Sequence, residues 1–437
     1  AFIPPSLIPK LRGVSSGKAN KTNSIYGVDG SPVVKDIYHN GAWKTVVVFG
    51  MGEGEHSYSA LDITNIDAPK HMWTFKNNPS TQTVTYWNAA GTKSEEAYAS
   101  ITPSRDYSKL GQAVSTPRII RIQSGGADKW VAIFGAGGNG GAATAYGSAV
   151  YLIDIADGGK VLKKIDVADK AGNKVVNSVI ASVVPVTPDT TSTANYKGAL
   201  VYFADFESKL WKLNLTNKGT MYQLQQLFDG EATETNGRRV FHDVTLSLDD
   251  NSDLWAFFGT GDRYNIADED PKIKNRILAI KDTNYPSFKS GVSSITAAKC
   301  KNVTSAGASC PDASHKGWYV DLLPNEKITG SSAIMDRVVY FPRYIPNKLN
   351  PCNPGSATLS AHAYTCGNTL KKFKLGSGMA TTPIIYKGKI YIGISGAPGG
   401  GMGSGWTSKD NLIIGNTISG SGGSSNSFTI KSWRQIF

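Results

Sequence analysis

Cysteine is scarce in this chain: four in 437 residues, at Cys300, Cys310, Cys352 and Cys366. No two of them stand as CxxC, so the spacing that zinc sites favour is missing. Charge is thin as well, at 18% Asp, Glu, Lys and Arg, which argues against a disordered or coiled-coil chain. No apolar run approaches the ~20 residues that a membrane-spanning helix needs. No signal peptide is visible, and the chain opens on AFIPPSLIPK without a Met; residue 1 is read as a cut or processing boundary. The six histidines, His39, His56, His71, His242, His315 and His362, form no HExxH, and neither GxSxG nor a Ser-His-Asp spacing occurs. The stretch FGAGGNGG lacks the Lys-Ser/Thr of a phosphate loop and reads as a tight turn between strands.

What the chain does have is glycine, 47 residues, and aromatics at 10%, the composition of a turn-rich, well-packed β protein. Its net charge is +12, with Lys and Arg dispersed and no block of five or six like charges. A nucleic-acid site would require a basic stripe, so none is expected. The charge reads as a soluble basic surface, with attraction to anionic cell surfaces as the other reading. Cys300 and Cys310 flank KNVTSAGAS, and Cys352 and Cys366 flank NPGSATLSAHAYT. Two small-residue loops predict the disulfides Cys300–Cys310 and Cys352–Cys366 and an oxidising compartment, although three connectivities are formally open.

A repeat organises the chain. DGSPVV (29–34) is followed by WKTVVVFGMGEG (43–54), YSALDI and MWTF. STPRIIRI (115–122) is followed by KWVAIFGAGGNG (129–140), AVYLIDI (149–155) and KVLKKIDV. Further copies run VVPVTP, GALVYFADFESK, LWKLNL and YQLQQLF; then HDVTLSL, DLWAFFGTGD and RILAIKD; then ATTPIIY and GKIYIGISG, with TLKKFKLG as partner strand. Each unit has three or four short strands rich in Val, Ile, Tyr, Phe and Trp, bounded by Gly, Asp and Pro. The second strand is nearly all apolar, as for a strand covered on both faces. Such units, repeated about a centre, predict an all-β fold: one β-propeller over residues 1–437, with six or seven four-stranded antiparallel blades and long surface insertions. The insertions are residues 76–110 and 282–317. Asp62, Asp154 and Asp205 recur at equivalent positions, which predicts turn-forming carboxylates rather than a single site.

With the blades laid out, the chain resembles the C-terminal β-propeller of the type IV pilus biogenesis and adhesin proteins, the PilC/PilY group. The resemblance rests on AFIPPSLIPKL, YGVDGSPVVKDIY, WKTVVVFGMGEGEHSYSALDIT, KWVAIFGAGGNG, VYFADFESKLWKLNL, FFGTGDRYN, GWYVDLLPNEKI and SWRQIF, in that order. It implies a non-enzymatic protein at the bacterial cell surface or outer membrane, at the pilus tip or secreted. It also implies promotion of pilus assembly by opposing retraction, a contribution to twitching motility and host-cell attachment, and minor pilins and a host receptor as partners. A further N-terminal region, not part of this chain, is implied too. Many members carry an acidic calcium loop ahead of the strand equivalent to GALVYFADF; here PDTTSTANYKG offers Asp189 alone, short of the several carboxylates calcium wants.

The best calcium candidate is elsewhere. LDDNSD places Asp249, Asn251 and Asp253 at alternate positions, the first half of a calcium loop without its Gly and distal Glu. The competing reading is a polar hairpin turn. Residues Asn265 to Asp270, NIADED, rank below it. The Asp-Trp pattern is also similar to that of quinone-cofactor dehydrogenase propellers, which makes an oxidoreductase the alternative function. That chemistry needs a metal with convergent acidic and amide ligands, and in some members adjacent cysteines, which this chain does not have.

Overall fold

The computed structural model describes residues 2–16, 26–138, 146–167, 177–188, 198–233, 235–266, 270, 272–347, 354–399 and 405–419. Strands dominate, and among these residues they form six sheets. The chain gathers into two compact units, Ala1–Phe203 with Lys212–Leu224, and Ala204–Trp211 with Gln225–Gln435.

In the first unit the strands Val33–His39, Ala42–Gly50, Ser57–Asp62, Lys70–Asn78, Thr83–Trp87 and Lys93–Ala97 form an antiparallel meander in chain order. The expected four-stranded blade is therefore extended by two strands, drawn from what the sequence reads as an insertion. The next sheet holds Arg118–Ser124, Ala127–Gly135, Ala149–Asp154 and Lys160–Asp166. The core of this unit is aromatic. Tyr58 stacks on Phe134 and Phe75 on Tyr107, each pair with ring centroids 4.0 Å apart. Trp73, fully buried, sends its indole N–H to the Ile155 carbonyl at 3.0 Å. Gly159 makes room for it, since a Cβ there would come within 2.6 Å of the indole.

In the second unit Thr245–Leu248, Leu254–Gly259, Arg276–Asp282 and Gly317–Asp321 pair antiparallel. The following sheet is built on Val338–Ile345, Ser356–Ala363 and Thr369–Ser377. Thr369–Ser377, expected to partner the 389–393 strand, instead pairs with Ser356–Ala363. The tight turn between them, closed by the Gly367 N–H on the Ala363 carbonyl at 2.7 Å, fixes that register. The last sheet runs Ile384–Tyr386, Lys389–Gly393, Leu412–Asn416 and Thr407–Lys409.

The first hairpin of four sheets uses the same two-residue turn. Asn40-Gly41, Gly125-Gly126, Asp336-Arg337 and Lys387-Gly388 all have positive φ at both positions. That is the geometry whose twist matches the flanking strands. Three of the four put Gly where a side chain would be strained; Arg337, at φ 64°, does not.

Candidate functional site

The Asp249–Asp253 segment is a turn held by its own first residue. The Asp249 Oδ1 accepts the N–H groups of Asn251 (2.9 Å) and Asp253 (3.0 Å), and Oδ2 accepts the Trp255 indole N–H at 2.9 Å. Ser252, at φ 64°, donates its N–H to the Asp249 carbonyl at 3.0 Å. The side chain of Asp253 is paired with Lys281, and Asp250 with Arg337 at 3.0 Å. The three residues proposed for calcium are thus adjacent, with the carboxylate of Asp249 occupied by three N–H donors.

Residues 205–211 repeat this arrangement bond for bond. Asp205 Oδ1 accepts the N–H groups of Glu207 (2.9 Å) and Lys209 (3.0 Å), and Oδ2 accepts the Trp211 indole N–H at 2.7 Å. Ser208 takes φ 56° at the same step. DFESKLW and DDNSDLW share the frame Asp-x-x-Ser-x-Leu-Trp, and the first of them has no calcium-like alternation. The frame, not the metal pattern, accounts for the shared geometry. Asp154 accepts the N–H groups of Ala156 and Asp157 at 3.2 and 3.1 Å, and Asp62 that of Thr64 at 3.0 Å. The turn role expected of Asp62, Asp154 and Asp205 is what the structure shows.

Beside the Asp249 turn lies a cavity of about 510 Å³, lined among others by Asp250, Asn251, Lys281, Asp312, Arg337 and Tyr364. Sequence reasoning reached Asn251 but not the other five; no linear signal joins them. The disulfide Cys310–Cys366 closes one wall. This corrects the expected pairings: Cys310 joins Cys366, and Cys300 is a free, buried thiol that its burial pushes up to about 12. The cause is tertiary. The Trp318 indole donates to the Tyr364 carbonyl at 2.9 Å and Asn368 Nδ2 to the Ala308 carbonyl at 3.3 Å, bringing Cys310 to the 363–368 turn. Cys300 follows the short helical turn Ala297–Lys299 and points into the interior. Cys352 and Asp189 lie outside the described residues.

Of the second calcium candidate, Asn265 donates its N–H to Asp262 Oδ1 at 3.3 Å, Asp270 Oδ1 accepts the Lys272 N–H at 2.9 Å, and 267–269 lie outside the described residues. Among the described residues no three His, Cys, Asp or Glu side chains converge as metal ligands. His56 is held down at about 4 by burial, with Lys76 and Lys10 adding to it. His362, also pushed down to about 4 by burial, is tied to Gly367 and Ser360 and stacks on Trp318 with centroids 6.0 Å apart. These are interior histidines with structural partners.

Comparison with known proteins adds four findings. The family model described as the PilY1 beta-propeller domain matches residues 6–250. A type IV pilus biogenesis factor PilY1 homolog of Xylella fastidiosa is 23% identical over 378 residues, 76% of this chain and 22% of that one. The type IV pilus biogenesis factor PilY1 of Pseudomonas aeruginosa strain UCBPP-PA14 is 27% identical over 222 residues, 49% of this chain and 15% of that one. The chain therefore spans less than a quarter of the length of these relatives. The crystal structure of the Pseudomonas aeruginosa PilY1 C-terminal domain superimposes with a TM-score of 0.58 at 18% identity, covering 89% of this chain and 84% of that one. At that identity the likeness speaks for the fold alone. The fold is a β-propeller.

Proposed function

The chain belongs to the PilY1 β-propeller family, and from that premise we infer that it is the propeller module of a type IV pilus biogenesis factor, working at the cell envelope in association with the pilus. One observation carries this reading: the family model matches residues 6–250, more than half of the chain. In this role the module promotes pilus assembly by opposing retraction and contributes to host-cell adhesion and twitching motility. Its partners are minor pilins and a host-cell receptor, and its place is the outer surface of the cell or the pilus tip. It acts by presenting surface, not by turning over a substrate. The turn carboxylates support this, because each observed Asp-Trp pair is used within its own hairpin. Nothing in the relatives' names or in the site favours the quinone-cofactor alternative.

The test is deletion of this region in its native organism, scored for surface pili with and without the retraction motor. Pili that vanish on deletion and return when the motor is removed are the expected result. Piliation unchanged by the deletion, or lost regardless of the motor, overturns the reading. The absorbance spectrum of the purified protein checks the alternative, since a bound quinone would be visible.

A further inference from the structure

The positive charge of the chain is unevenly placed. Residues 337–437 hold eleven Lys and Arg against one carboxylate, Asp410, whereas the 336 residues before them hold 35 against 33. No run of like charges marks the region, and six of its lysines lie on the last two sheets. In the last sheet, pairing sets Ile384 opposite Tyr391, Tyr386 opposite Lys389, and Leu412 opposite Lys409, so all six side chains share one face. The other face is core: Ile390, Ile392 and Ile413 are completely buried. The first face is open, with Ile384 58%, Tyr386 59% and Leu412 41% exposed. Lys387 sits in the turn at its end.

A second group of lysines lies on the neighbouring sheet, which packs against the other, buried face. Thr369–Ser377 is the edge strand of its own sheet, and Lys371, Lys372 and Lys374 on it are exposed. Between them Phe373 is buried, its ring centroid 4.5 Å from that of Trp406, directly ahead of Thr407–Lys409. Among the described residues the open apolar face thus carries three lysines, Lys387, Lys389 and Lys409, and no arginine.

We propose that this face docks on the surface of an anionic bilayer, with Ile384, Tyr386 and Leu412 entering the headgroup layer and the lysines meeting lipid phosphates. The choice of cation decides among acidic partners. Protein interfaces enrich Arg and deplete Lys, and planar recognition of nucleic-acid phosphate and base edges also favours Arg. Lysine's long apolar stem and point charge suit a diffuse layer of phosphates above hydrocarbon. Exposed aliphatic side chains and a Tyr beside such lysines complete the pattern of an interfacial anchor.

Co-sedimentation tests it with the whole chain and two kinds of vesicle, phosphatidylcholine alone and phosphatidylcholine doped with phosphatidylglycerol. Binding is expected only to the doped vesicles and is lost as salt rises. Lys387→Glu/Lys389→Glu/Lys409→Glu lowers it by more than about a hundredfold. Arg at the same three positions keeps it within about threefold. Ile384→Ser/Tyr386→Ser lowers it about tenfold while the salt dependence persists. All these positions are on the surface, and a thermal melt confirms that each variant is folded. Equal binding to both vesicles, or binding unmoved by the Glu variant, overturns the proposal. Tighter binding to polyglutamate or duplex DNA, insensitive to Ile384→Ser/Tyr386→Ser, overturns it in favour of an acidic protein or a nucleic acid.

Discussion

Trp73 and Trp318 make the same dock in different parts of the molecule. Each lies on the fourth strand of its sheet, each is completely buried, and each sends its indole N–H to a carbonyl in a turn of the following sheet, Ile155 for one and Tyr364 for the other. Each is met by a glycine at positive φ, Gly159 or Gly367, where a Cβ would strike the ring at 2.6 or 2.5 Å. The surroundings differ. Trp73 rests in an aromatic stack with Phe75, Tyr107 and Phe134. Trp318 has His362 on its ring, a disulfide across the turn it enters, and a polar cavity behind that disulfide. Where the core can be filled with rings, packing suffices. Where the neighbouring strand is mostly Ser, Ala, Thr and His, a covalent bridge adds to the packing and holds the turn.

The largest effect should come from removing the ring where no disulfide backs the packing. Trp73→Ala is expected to lose about 4 kcal/mol of unfolding free energy in denaturant melts; a loss under about 1 kcal/mol would mean that the aromatic stack closes without it. Next is the bridge. Cys310→Ser/Cys366→Ser should cost about 3 kcal/mol, and reducing agent should lower the melting temperature of wild type while leaving this variant where it is.

Acid should distinguish the docks by a similar or smaller amount. Burial lowers His362 from 6.5 to about 4, so the folded state resists protonation that the unfolded chain accepts. The stability attached to the neutral ring is complete above pH 6.5, declines as pH falls towards 4, and is gone below that. The full swing is at most about 3 kcal/mol. His362→Gln should flatten that part of the stability–pH curve, read from melts at a series of pH values; an unchanged curve would show that His362 titrates normally.

The smallest effect is the difference between the two Asp-x-x-Ser-x-Leu-Trp turns. Asp205 is buried, and its removal strands interior N–H groups, at about 3 kcal/mol. Asp249 caps a turn whose residues 250 and 251 are exposed, where water replaces the lost acceptor, at about 1 kcal/mol. The cost of Asp249→Ala should be the same with calcium and with chelator. Calorimetric heat of calcium binding that vanishes in Asp249→Ala/Asp253→Ala would make this turn a metal site after all.

How legible was this in the sequence? Turns written Asn40-Gly41, Gly125-Gly126 and Lys387-Gly388 announce hairpins because glycine at positive φ is a local requirement. Asp336-Arg337 makes the same turn and carries no such mark. The continuous apolar strands 131–135, 200–204 and 254–259 were readable for the same local reason. Ser356–Ala363 was not, since small polar residues buried between sheets have no hydrophobic period. DDNSDLW was readable twice over, as half a calcium loop and as a copy of DFESKLW; only comparing the two copies separates the readings. The disulfide was misread because nearness in sequence stood in for nearness in space. The cavity was invisible, since Lys281, Asp312 and Arg337 meet only through tertiary structure.

The buried thiol of Cys300 has a consequence for how the chain is made. A thiol that burial pushes up to about 12 stays almost wholly protonated at neutral pH. Exchange with a disulfide requires the thiolate, so once the interior has closed over Cys300 it no longer competes for Cys310 or Cys366. Before closure it ionises like any cysteine and can capture either of them. The order of events during maturation therefore matters: oxidation after the interior has closed finds the Cys300 sulfur already withdrawn, and oxidation before it finds a chain in which Cys300 can still be wrongly crosslinked.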